Sequence, residues 1–179
     1  MNIGVLSDTH LTNTSGVLSA VKQALRNKHA LADLRELLAQ HFRAVDLIIH
    51  AGDFVDLAVL DMLQEFAPVE AVHGNMDSAA IRARLPAQRI LEIAGFRLGL
   101  THGHGGPQGI LARVKAQFTD SPVDAILFGH THQPLNERRD GILFFNPGSP
   151  TDRIFAPYNS LGLLEVSERI EGKIIRFDE

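Results

Sequence analysis

The sequence contains no cysteine and no tryptophan among its 179 residues. Without cysteine there are no disulfides and no thiolate metal sites, which fits a reducing compartment and leads us to expect a cytoplasmic protein. No apolar run approaches the roughly 20 residues that span a bilayer, so no membrane association is expected. Met1-Asn2-Ile3 enters a strand with no basic leader or cleavage site, so no signal peptide is read there. Positive charge is not in excess. Seventeen Lys and Arg stand against 21 Asp and Glu, a formal net charge of -4 that gives no support to a general affinity for nucleic-acid backbones. Linkers, repeats and low-complexity tracts are also absent, and residues 1–179 read as a single domain with room for a substantial core.

What is present is a series of short apolar runs, each ending in residues suited to a metal. Ala125-Ile126-Leu127-Phe128 reads as a buried parallel strand that delivers Gly129-His130-Thr131-His132. Two histidines one residue apart at a strand's carboxyl end can both turn toward the crevice where open α/β sheets bind ligands. Neutral imidazole is a leading ligand for first-row metals. Residues 3–6 deliver Asp8 and His10, whose side chains leave an extended backbone on one side and can share an ion. Residues 45–50 deliver Gly52-Asp53, and residues 69–73 deliver Gly74-Asn75, whose amide oxygen is an uncharged donor. A hairpin over residues 89–100 leads into Thr101-His102-Gly103-His104-Gly105-Gly106, where glycines let the backbone approach a small anion.

Each segment has a plainer reading: Asp8 as a helix cap, Gly-Asn as a turn. The recurrence of five such segments at strand ends favours ligation. His29 and His41 read as surface or core-edge residues, and His50 and His73 as hydrogen-bonded structural histidines. Within residues 11–45, Val17, Val21, Leu25, Leu31, Leu34, Leu37 and Leu38 recur at helical spacing, predicting one long helix or two short ones. That segment suits a lid or an oligomer contact, so a homo-oligomer stays open. Asp56 is placed as the cap of a helix through Leu60, Leu63 and Phe66, and residues 110–118 form another helix. Strands over 135–139 and 142–145 meet at Asp140-Gly141, and strands over 161–166 and 173–177 close the chain.

The ordered set Asp8-Thr9-His10, Gly52-Asp53, Gly74-Asn75, His102 and Gly129-His130-Thr131-His132 resembles the calcineurin-like metallophosphoesterase superfamily. The likeness is to its small single-domain phosphodiesterase branch in particular. Asn146-Pro147-Gly148-Ser149 resembles that branch's closing motif. The resemblance covers residues 3–150 and implies an α/β (α+β) fold, a four-layer αββα sandwich of two mixed β-sheets flanked by helices. It implies that Asp8, His10 and His132 hold one metal, that Asn75, His102 and His130 hold the other, and that Asp53 bridges the two. The implied cofactors are two divalent transition-metal ions, manganese first, with nickel, cobalt, iron or zinc as alternatives. The implied reaction is hydrolysis of a phosphodiester, or of an activated phosphomonoester, by a hydroxide held between the ions. Asp53, Asn75 and His104 are the expected catalytic residues, with Asn75 and His104 contacting the phosphate-ester substrate.

One position departs from the family. Many members carry a histidine directly after Gly-Asn, where this chain has Met76, and methionine cannot donate a proton. Asp77 and His104 are the candidates to replace it. The rival reading is a catalytically silent scaffold, like the metallophosphoesterase-like subunit of retromer; the completeness of the seven ligand types favours the enzyme.

Overall fold

The computed structural model describes residues 1–11, 30–152 and 154–177. Two mixed five-stranded sheets lie face to face. In the first, β1 (Asn2–Leu6), β2 (Leu47–His50) and β3 (Val69–Ala71) run parallel, and β9 (Asn159–Val166) and β10 (Ile170–Phe177) add antiparallel strands in the order β10-β9-β1-β2-β3. The second contains β4 (Gln88–Ile93), β5 (Phe96–Thr101), β6 (Ala125–Leu127), β7 (Leu135–Arg139) and β8 (Ile142–Asn146), in the order β4-β5-β6-β8-β7. Residues 30–41 are helical (α1) and are followed by α2 (Leu57–Gln64), α3 (Ala79–Arg84) and α4 (Ile110–Ala116).

Alternation explains why the strands read as unbroken apolar runs. Ile3, Val5, Leu47, Ile49, Ala125 and Leu127 point into the layer between the sheets, while Leu6, Ile48 and Ile126 point outward under the helices. Leu34, Leu38, Val59, Leu63 and Ile81 from α1, α2 and α3 cover the first sheet, and Ile110, Val114 and Phe118 from the α4 region cover the second. The four-layer sandwich expected from the resemblance is the architecture observed. Asp56 caps α2, its side chain accepting the Ala58 N–H at 3.0 Å.

The differences are local. The second strand begins at Leu47 and the third ends at Ala71, so His73 lies beyond its strand. Helix α3 was not anticipated: it has six residues and buries only Ile81, too little to leave a periodic pattern. Val17, Val21, Leu25 and His29 lie outside the described residues, so the helical reading is met only over residues 30–41.

Phe145 keys the two sheets together. Its ring lies over Gly162 and Gly172, where a Cβ would come within 2.4 and 2.7 Å of it. Glycines on β9 and β10 therefore make the socket for a fully buried aromatic side chain of the opposite sheet. Phe145→Ala should lower unfolding stability by about 3–5 kcal/mol, the usual cost of truncating a fully buried phenylalanine. Urea unfolding of both proteins measures this; a loss under about 1 kcal/mol would remove Phe145 as the key.

Candidate metal centre

The parallel strands β1, β2, β3, β5 and β6 bring their carboxyl ends to one edge of the sandwich, and the loops that follow carry the candidate residues. Backbone bonds first tie the loops within each sheet: Asp8 N–H to Gly52 O at 3.0 Å, His10 N–H to Asp53 O at 3.2 Å, and Gly129 N–H to His102 O at 3.1 Å. Contacts between the sheets then join the halves. The His130 N–H donates to Asp8 Oδ2 at 3.0 Å, and His102 Nδ1–H donates to Ala51 O at 2.7 Å.

Such close crossing requires unusual backbone. Asp8, His10, Asp53, His130 and His132 all have positive φ, between 41° and 69°. For residues other than glycine each costs on the order of 1 kcal/mol, and such conformations cluster at functional sites. Gly129 is required for a different reason: a Cβ there would lie 1.8 Å from Ser7 Oγ and 2.6 Å from Asp8 Oδ2.

Asp8 and Asp53 are buried and held alike. Asp8 Oδ2 accepts Ser7 Oγ–H at 2.6 Å as well as the His130 N–H, and Oδ1 makes no hydrogen bond. Oδ1 instead faces Nε2 of His132, His10 and His102 at 3.3, 3.7 and 3.9 Å. Asp53 Oδ1 accepts the Met76 N–H at 2.7 Å, while Oδ2 faces Nε2 of His102 at 3.2 Å and of His10 at 3.8 Å. One oxygen of each carboxylate is fixed and the other points into the cluster.

The imidazoles are held in the complementary way. His102 Nδ1 donates to Ala51 O, so in the neutral ring Nε2 is bare; it faces Asn75 Oδ1 at 3.2 Å as well as Asp53. His130 Nε2–H donates to Gly105 O at 2.8 Å, which leaves bare Nδ1 3.0 Å from Asn75 Oδ1. His132 Nδ1–H donates to Asp152, leaving bare Nε2 toward Asp8 and 3.1 Å from His10 Nε2. Lone pairs facing lone pairs repel unless a positive charge lies between them. The donors therefore fit divalent cations: Asp8, His10 and His132 form one group that could hold a metal, and Asp8, Asp53 and His102 form another.

Protons fill this role when no ion does. Burial opposes charge on His132, but Asp8 and Asp152 outweigh it and push the ring up to about 9. Burial likewise works against a charged His102, which Asp53 and Asp8 nevertheless raise. Burial would raise both carboxyls. The surrounding imidazoles of His10, His132 and His102 instead hold Asp8 well below the usual carboxylate range, and His102 with the Met76 N–H lowers Asp53.

Asp8, His10, Asp53, Asn75, His102, His130 and His132 are thus brought together; His104 is not among them. It is exposed, and its carbonyl accepts the Arg113 Nε–H at 2.8 Å. Asp77 is buried with both oxygens accepting backbone N–H groups, from Asp53, Gly74 and Val55 at 2.7–3.0 Å, so it staples two loops. Met76 is exposed on the cleft wall. Sequence reasoning missed Asp152, which orients His132, because its partner lies 20 residues away with no fixed spacing to mark the pair. The closing motif has a positioning role: Asn146 Nδ2 donates to Gly129 O at 2.9 Å, and Ser149 Oγ–H to Asp8 O at 2.7 Å.

His50, as expected, is structural. It is fully buried, stacks on Phe54 with ring centroids 3.6 Å apart, accepts the Gly52 N–H on Nδ1 at 3.2 Å and faces Thr9 Oγ1 with Nε2 at 3.3 Å. Burial disfavours the charged ring and lowers its pKa to about 3. The unfolded chain takes up this proton near pH 6.5 and the folded chain refuses it until about pH 3. Stability is therefore complete above pH 6.5 and falls as the pH drops through that window, by about 2 kcal/mol at pH 5 from this group. Urea midpoints of wild type and His50→Gln at pH 7 and pH 5 should show a smaller drop in the variant. Equal drops would take His50 out of the balance.

Residues 1–169 match the model of the calcineurin-like phosphoesterase superfamily domain. The chain is 35% identical over 178 residues to a probable metallophosphoesterase of Methanothermobacter thermautotrophicus, covering 98% of this chain and 92% of that one. It is 28% identical over 160 residues to a phosphodiesterase of Methanocaldococcus jannaschii, covering 83% of each. A crystal structure of a single mutant of Vps29 from Entamoeba histolytica superposes with a TM-score of 0.72 at 21% identity, over 99% of this chain and 100% of that one, and is alike in fold.

Proposed function

This chain belongs to the calcineurin-like phosphoesterase superfamily, and we propose that it hydrolyses phosphodiester bonds with two divalent metal ions held at the cluster. The observation that carries the reading is the convergence of bare donors. Asp8 Oδ1 lies among His10 and His132, Asn75 Oδ1 among His102 and His130, and Asp53 Oδ2 faces both His10 and His102. Asp8, His10 and His132 would hold one ion and Asn75, His102 and His130 the other, with Asp53 between them. Bound there, the ions supply Lewis acidity toward phosphoryl oxygens and lower the pKa of water to about 7. Mixed oxygen and imidazole donors favour manganese, cobalt, nickel, iron or zinc over magnesium.

The protein's own residues do the rest. Two buried carboxylates repel an anionic ester, so phosphate binding is linked to cation binding. The Met76 N–H and the Ser7 hydroxyl fix the carboxylates, and Ala51, Gly105 and Asp152 fix the rings, so little reorganisation is needed when a substrate arrives. Asn75 is exposed on the cleft, where it would also meet substrate. Neither Met76, which has no acidic proton, nor Asp77, whose two oxygens accept backbone N–H groups, offers a proton to the leaving oxygen. That favours esters whose leaving alcohol is acidic. His104, an expected catalytic residue, has no part in this proposal.

Exhaustive chelation should abolish hydrolysis of bis(p-nitrophenyl) phosphate, with manganese, cobalt or nickel restoring it better than magnesium. Full activity in magnesium alone would count against this donor assignment, and inactivity with two ions bound per chain would favour a binding scaffold instead.

Asp53→Asn removes the charge expected between the ions and should lower kcat/KM by more than about 100-fold, since even partners that only orient ligands are worth 10–100-fold. Near-wild-type turnover by a folded, metal-loaded Asp53→Asn protein would sink the bridging role.

A further inference from the structure

The cleft that holds the donor cluster is far larger than a phosphate group, about 1030 Å³, and much of its wall is apolar. Four large hydrophobic side chains are strongly exposed among the described residues: Met1, Met76 at 58%, Ile154 at 81% and Phe155 at 70%. Three of these, Met76, Ile154 and Phe155, line this cleft, alongside Leu11 and Pro107. Exposed apolar side chains gathered in one concave place mark a ligand site more often than scattered ones do.

The pair at 154 and 155 is held firmly. Asp152 accepts the backbone N–H groups of Ile154, Phe155 and Ala156 at 2.8, 3.1 and 3.0 Å while its carboxylate also receives His132 Nδ1–H. The Phe155 ring stands edge-on to His132 with centroids 6.1 Å apart. One carboxylate thus fixes an imidazole of the donor cluster and an apolar shelf beside it. Met76, which lines the same cleft, follows Asn75 directly, so it too adjoins a cluster residue.

We propose that Ile154, Phe155 and Met76 form a specificity shelf for the organic group of the substrate, and that the substrates are phosphodiesters bearing an aromatic or other apolar alcohol. The proposal rests on the phosphodiesterase reading for its reaction, but not for the binding preference. An aromatic group on the shelf covers apolar surface that water otherwise meets, and contacts Phe155 face or edge. A partial, one-sided burial of this kind is worth about 10-fold in affinity.

The test uses the full metal-loaded chain and three diesters with the same p-nitrophenyl leaving group, differing in the second alcohol: methyl, benzyl and 2,3-dihydroxypropyl. Keeping the leaving group constant holds the chemistry at phosphorus nearly fixed. The benzyl ester should show a KM about 10-fold below the methyl ester, with the dihydroxypropyl ester no better than methyl. The preference should fall toward one in Ile154→Ser/Phe155→Ser and survive in Phe155→Leu, which keeps an apolar side chain. Calorimetric titration with benzylphosphonate and methylphosphonate reads the same preference without turnover. Equal constants for benzyl and methyl compounds, a preference for the dihydroxypropyl ester, or an unchanged preference in the double variant would overturn the shelf. If no diester turns over but benzylphosphonate still binds more tightly than methylphosphonate, the shelf stands and the phosphodiesterase reading falls.

Discussion

Lone pairs that face one another without protons between them are the constraint on which this structure turns. Asp8 Oδ1, Asp53 Oδ2, Asn75 Oδ1 and bare nitrogens of His102, His130 and His132 converge, and the carboxylates and these rings are aimed inward because their other polar atoms are bonded outward. Left alone, such groups would turn away or take up protons, as the raised His132 and His102 show. The fold keeps them in place with a second set of residues that never enters the cluster. Ser7, the Met76 N–H, Ala51 O, Gly105 O and Asp152 each hold one donor's far side.

That second set carries the structural cost. Asp77 bridges the loops after β2 and β3, and Asn146 and Ser149 tie the loop after β8 to those after β6 and β1. Five residues of the cluster sit in left-handed backbone, a strain of order several kcal/mol in sum that only an over-determined surround can hold. The surround is supplied by the sandwich itself. Strands buried on both faces cannot slip by one residue without turning their hydrophobic sets onto the wrong layer, so the strand ends meet in fixed register.

The cleft divides its wall by chemistry. Donors occupy the strand-end loops, and apolar side chains occupy the turn after Asp152 and the position after Asn75. Asp152 joins the two regions, since the carboxylate that orients His132 also folds the turn presenting Ile154 and Phe155. Position 76 has a double character for the same reason: its N–H orients Asp53 whatever the residue, while the side chain faces the cleft. A methionine there has no acidic proton to offer and adds to the apolar wall.

Most strands and the donor residues at their ends were legible in the sequence because each donor lies within a few positions of a continuous apolar run, and such runs specify burial on both faces. Local spacing also carried the Asp56 cap and the structural character of His50, which its neighbours in β2 bury. Helix α3 escaped notice because one buried residue makes no period. Which oxygen of Asp8 or Asp53 is free, which ring nitrogen is bare, and that Asp152 belongs beside His132 were decided only by tertiary structure. Those facts depend on hydrogen bonds between residues 20 to more than 100 positions apart, such as His132 with Asp152 and His130 with Asp8. The sequence determines which donor types arrive at the strand ends; the direction in which each points is set by partners that only the packing of one sheet on the other brings within reach.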